Sequence, residues 1–197
     1  MSSEVHSWLS AFCSLDISLC GLMRQAQMPE TICANVVMHL EDLGLYHAAC
    51  LQLRGERINA IACLSSSGIL AVESIRGTVN GETFFDFLRG TLIPQMMPFN
   101  GSNPHSILVM DNNCSIHHTH EVKDLLNQAG VLALYLPPYS PDLNPIEEAF
   151  SYVKSYLRKH DDIIQAGIPL VSILKSAFES ISACQCNAWI TDSGYST

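Results

Sequence analysis

Between Ser106 and Met110 the chain reads S-I-L-V-M, a short run that stays apolar where a half-exposed strand would alternate. Such a strand is buried on both faces, so it belongs inside a sheet that is covered above and below. At 197 residues the chain is long enough for one compact domain that covers both faces of a sheet. An apolar fraction of 48% against 15% charged residues suits a folded protein of that kind.

The flanking sequence supplies the other elements. Arg57–Leu64 and Ile69–Ile75 are apolar and β-prone, and Ser65-Ser66-Ser67-Gly68 between them marks a hairpin. Asn80-Gly81 is a turn, and Thr83–Met97 follows with Phe84, Phe87, Leu88 and Leu92 at helical spacing. Val122, Leu125, Leu126 and Ala129 predict a helix that Gly130 closes. Val131–Leu136 is a second buried strand, stopped by Pro137-Pro138. A helix is expected from Pro145 to about Lys159, with Ile146, Phe150, Val153 and Leu157 inward, and a last one over Leu170–Ile181. Strands paired first as a hairpin and then alternating with helices predict an α/β layered domain with a mixed sheet.

Residues 1–42 differ in character and form an atypical N-terminal segment, leaving 43–197 as the main domain. The segment offers a short strand over Ala11–Ile17, and a stretch around Met28-Pro29-Glu30 that can open a helix through Val36 and Leu40.

No apolar run approaches the roughly 18 residues of a membrane helix, and Met1-Ser2-Ser3-Glu4 does not begin a secretory signal. A nuclear or cytoplasmic location without a membrane partner is the expectation. The eight cysteines are scattered and form no C-x-x-C pair, which disfavours a zinc ribbon or a thioredoxin-type site. The net charge of −9 sets ten bases against nineteen acids. Duplex binding depends on Lys and Arg displacing phosphate counterions. Any action on DNA must therefore use a local basic patch, metal ions or a separate binding segment.

Asp111 ends the S-I-L-V-M strand, at the edge where α/β sheets present ligand-binding groups. Asp111-Asn112-Asn113 is equally a polar turn after a buried strand. Glu147 has two readings as well. With Asn144 as N-cap and Pro145 as first helical residue it completes a capping box; alternatively it is a hard oxygen ligand for Mg²⁺ or Mn²⁺. Ser151, Lys154 and Arg158 lie near the same helix face, where the two bases can meet phosphates or form a solvated surface. His117, His118 and His120, with Cys114 nearby, raise a zinc-binding alternative, but their spacing matches no established ligand pattern.

Two segments then carry a resemblance: Val109-Met110-Asp111-Asn112-Asn113-Cys114-Ser115-Ile116-His117-His118, and Leu136-Pro137-Pro138-Tyr139-Ser140-Pro141-Asp142-Leu143-Asn144-Pro145-Ile146-Glu147. Together they resemble the DDE domain of mariner-superfamily transposases and their bacterial insertion-sequence relatives. The second is too long and specific for chance agreement. Arg54-Gly55-Glu56-Arg57, Arg76-Gly77-Thr78-Val79-Asn80-Gly81 and the tail from Cys186 to Tyr195 are similar too, so the likeness runs from about residue 44 onward.

The resemblance implies a ribonuclease-H-like (retroviral-integrase-like) three-layer fold whose first strand is here atypical or missing. It implies three acids holding two divalent cations, Mg²⁺ or Mn²⁺, with Asp111 as the second and Glu147 as the third. Asp142 would be a turn residue. The implied activity is metal-dependent DNA strand cleavage and transfer on transposon ends, with a homo-oligomer as a possible assembly. The family's first acid lies on the opening strand, around residue 24, where this chain has Arg24. Asp16 is the best substitute, ahead of Asp42. The doubled Asn112-Asn113 adds one residue to the family's usual loop, and the helix-turn-helix DNA-binding region of such transposases is missing. The chain therefore reads as a fragment, a decayed copy or a domesticated descendant. The alternative function is a non-catalytic module that keeps the fold to bind nucleic acid or protein.

Overall fold

The computed structural model describes residues 31–36, 58–111, 114–138 and 140–195. Among the described residues, five strands form one sheet: β1 (Thr31–Val36), β2 (Ile58–Ser65), β3 (Gly68–Arg76), β4 (Ile107–Met110) and β5 (Leu132–Tyr135). Their order is β3-β2-β1-β4-β5. The β2–β3 hairpin and the β1–β2 pair are antiparallel, whereas β1–β4 and β4–β5 are parallel. The sheet is mixed, as the order of elements predicts.

One expectation is corrected. The helix expected to run through Val36 is, over Thr31–Val36, a strand at the centre of the sheet, paired from Thr31↔Ser65 to Val36↔Ala60. Thr31, Ile32 and Val36 are β-branched, and a slot between two strands rewards them more than a nearby proline rewards a helix start. The rest of that expected helix, and the strand expected over Ala11–Ile17, lie outside the described residues.

Residues of period two divide the core. On one face, Ala60, Ala62 and Leu64 of β2 and Ile107 and Val109 of β4 join a cluster with Ile146, Phe150, Val153, Leu174 and Phe178. On the other, Ile61, Cys63, Leu108 and Met110 pack with Phe84, Phe87, Leu92, Val122 and Leu126. All eight residues of β2 and all four of β4 are buried, which is why neither shows alternation in its sequence.

The second face is covered by α1 (Gly81–Phe87) and α2 (His120–Ala129). Asn80 and Thr83 cap α1 reciprocally. The single helix expected over Thr83–Met97 instead passes into a π turn at Leu88–Leu92 and a 3-10 turn at Ile93–Gln95, where Pro94 has no N–H to continue an α-helix. Gly130 closes α2 in the left-handed region (φ 72°), and a Cβ there would stand 3.0 Å from the Pro98 Cβ.

The first face is covered by α3 (Ile146–Lys159), α4 (Asp161–Gln165), α5 (Leu170–Glu179) and α6 (Ala183–Asp192). The α3 helix packs over β1 and β2, while α5 and α6 pack over the hairpin. The expected last helix is α5. The α6 helix has no periodic stripe in the sequence because only Cys186 and Ile190 of it are buried. No described helix is long and apolar enough to cross a membrane.

Candidate active site

Asp111 follows β4 directly, at its carboxyl end, and is half-buried. Its backbone is held by His117 in the 3-10 turn Ser115–His118: the ring Nδ1 lies 2.8 Å from the Asp111 carbonyl. A carbonyl only accepts, so Nδ1 carries the proton. His117 is 1% exposed, and burial lowers its pKa, with the Asp111 carbonyl and charge opposing and His118 adding to the fall. The neutral ring with Nδ1 protonated leaves Nε2 as a bare acceptor, which finds no hydrogen-bond partner among the described residues. Phe84 covers the ring at 4.7 Å. The turn is tied again where the Tyr135 hydroxyl donates to the His117 carbonyl at 3.0 Å.

The histidines that raised a zinc alternative have separate environments. His118 stacks on Tyr135 with ring centres 4.3 Å apart, and His120 Nε2 lies 3.2 Å from Asp124 Oδ2.

Glu147 lies in the first turn of α3, which starts where the sequence predicts. Asn144 has extended cap geometry (φ −113°, ψ 93°) and Pro145 is helical (φ −63°, ψ −14°). The expected capping box is not formed, which corrects that reading. Asn144 is 5% exposed, and its Oδ1 has no hydrogen-bond partner among the described residues. The Glu147 N–H bonds the Asn144 carbonyl at 3.1 Å, as in a 3-10 start. Among the described residues no side-chain bond caps the helix, so the Glu147 carboxylate is not committed to closing its first turn.

Glu147 stands on the solvent side of α3, yet its carboxylate lies close enough to the protein body for desolvation to raise its pKa. Lys154 pulls the value down, and the charge of Asp111 pushes it up. The two acids thus act on each other electrostatically. Lys154 is half-buried two turns along α3; Ser151 and Arg158 are exposed on the same side. Asp142 is exposed in the 3-10 turn Pro141–Leu143.

Two carboxylates in one field favour a cation between them, and uncommitted carboxylate oxygens suit a hard one. Among the described residues, no three His, Cys, Asp or Glu side chains gather as a metal-binding group. Beside β4 runs β1, whose register pairs Thr31 with Leu108 and Ile32 with Val109. The strand reads T-I-C-A-N-V and carries no carboxylate. Among the described residues, the strand beside β4 on the hairpin side is β1, and its sequence lacks an acid. Asp16 and Asp42 lie outside the described residues.

The sequence family described as DDE superfamily endonuclease matches residues 48–166. The chain belongs to that family. Its fold is similar to that of a Mos1 transposase catalytic domain solved with raltegravir and Mg (TM-score 0.54, 15% identity, 87% of this chain and 84% of that one). It is equally similar to a chain of the simian T-cell lymphotropic virus intasome in complex with PP2A regulatory subunit B56 gamma (TM-score 0.54, 15% identity, 77% of this chain and 48% of that one). At that identity the likenesses establish the fold: this DDE domain has the ribonuclease-H-like, integrase-type fold. No curated protein matches the sequence.

Proposed function

We propose that this transposase-derived DDE domain holds a divalent cation, Mg²⁺ or Mn²⁺, between Asp111 and Glu147, and that its substrate class is DNA. The observation that carries the reading is the placement of an uncommitted helix-start carboxylate within the field of a strand-end carboxylate. A cation there supplies Lewis-acid activation of a phosphate oxygen or an attacking hydroxyl. The chain contributes the two acids as ligands, and Lys154 and Arg158 of α3 as contacts for the phosphates of a DNA strand. DNA cleavage and strand transfer is the ancestral reaction. Two-metal chemistry requires a third carboxylate, for which Asp16 is the candidate. A homo-oligomer acting on transposon ends, in the nucleus or the cytoplasm, completes this reading.

Mn²⁺ calorimetry tests the site. Binding in the parent that Asp111→Ala abolishes supports it; heat that is absent from the parent, or unchanged in the variant, sinks it.

A second reading is favoured by β1. With no acid on the strand beside Asp111 and a net charge of −9, the domain serves as a non-catalytic module that binds nucleic acid or protein. Plasmid incubated with the protein and Mn²⁺ separates the two. Nicked circles that disappear with Glu147→Gln indicate an enzyme, and plasmid that stays supercoiled indicates the module.

A further inference from the structure

Just beyond α6, Tyr195 is buried (4% exposed), and its hydroxyl donates to the Leu143 carbonyl at 2.8 Å across 52 positions of sequence. That carbonyl lies at a weak point. In a regular α-helix it would accept the N–H of Glu147, four residues on. The Glu147 N–H is instead taken by Asn144, and Pro145 has no N–H to offer. The Leu143 and Asn144 N–H groups turn backward to Ser140 (3.2 Å) and Pro141 (3.0 Å). The peptide leading into the helix is therefore oriented from outside, and Tyr195 provides the donor.

We propose that Tyr195 is a positioning residue for Glu147: its hydroxyl fixes the Leu143–Asn144 peptide and through it the point at which α3, and the Glu147 carboxylate, begins. The role rests on the reading of Glu147 as a cation ligand. It ties the candidate site to the docking of α6, which otherwise packs over the β2–β3 hairpin and α3.

Tyr195→Phe in the full chain keeps the ring and removes one oxygen. Tyr152→Phe is the control, since the Tyr152 hydroxyl leaves the same helix toward Ser180 Oγ (3.2 Å), away from the helix start. Tyr195→Phe should weaken Mn²⁺ binding about three- to tenfold, the range for one lost hydrogen bond. It should also speed amide hydrogen exchange at Asn144–Glu147, with the melting temperature close to the parent's. Tyr152→Phe should keep the parent's Mn²⁺ affinity. Parental affinity in Tyr195→Phe, or an equal loss in both variants, overturns the proposal while leaving the cation site in place. A loss of affinity that accompanies a fall of more than about 8 °C in melting temperature makes Tyr195 structural only and overturns it too. A parent chain that binds no Mn²⁺ removes the site and this role together.

Discussion

The two acids stand at corners built differently. The Asp111 corner is local: His117 reaches back six residues to the Asp111 carbonyl, and Tyr135, on the neighbouring strand, holds the His117 carbonyl. The Glu147 corner is remote. Its lead-in is held by Tyr195 from beyond α6, and its helix is held by Phe150, which meets Phe178 of α5 edge-on at 5.8 Å. Both corners leave regular structure, so both have carbonyls that no ladder or helix satisfies, and each uses a buried side chain to supply the donor. The difference is what must already be folded. The first corner needs β4, β5, one turn and the cover of Phe84 from α1, whereas the second needs the whole helical layer on its side of the sheet.

The largest effect is expected where the remote corner is loosened from beneath. Phe150→Ala removes a ring that is 1% exposed at the centre of that layer and should cost about 3–5 kcal/mol in urea unfolding. A loss below about 1 kcal/mol would mean that α3 is not anchored as described. A smaller effect is expected at the local corner. His117→Leu keeps the bulk but removes the ring N–H from the Asp111 carbonyl, at a cost of about 1–3 kcal/mol. The damage should appear as faster hydrogen exchange in residues 114–118, with α5 and α6 protected as in the parent.

The corners should also differ in pH response. The folded His117 has a lowered pKa, so below the ordinary histidine value of about 6.5 the unfolded chain takes up a proton that the native ring refuses. Stability contributed there falls as pH falls, and His117→Leu should flatten that slope. Glu147 is the opposite case. Its pKa is raised above the ordinary 4.5, so its contribution is complete below that value and is lost as pH rises through the raised one. Glu147→Gln should therefore leave stability at pH 7 unchanged or slightly higher, within about 0.5 kcal/mol because the side chain faces solvent. Thermal melts from pH 4 to 8 check both. A His117 slope that persists in the leucine variant refutes the first assignment, and a clear loss of stability in Glu147→Gln at pH 7 refutes the second.

Much of this was legible in the chain. The unalternating S-I-L-V-M run announced a doubly covered strand, and β4 is buried throughout. The proline-rich motif ending at Glu147 located the start of α3 to within a residue. The capping box did not form, because whether Asn144 and Glu147 bond depends on the local approach of their side chains and not on their spacing. The histidine cluster hid its buried member, since burial of His117 under Phe84 is set by a contact 33 residues away in sequence. The α6 helix escaped notice because two buried residues in ten make no stripe.

Local pattern thus determined the layers, because burial on both faces and rigid proline turns are written in adjacent residues, while the family and the choice of Asp111 and Glu147 came from the likeness of two long motifs. Tertiary structure alone decided that T-I-C-A-N-V is the central strand and that Tyr195 serves Leu143. Strand pairing and long-range tethers are made by partners dozens of residues apart, and a segment's own propensity carries no information about which neighbours will flank it.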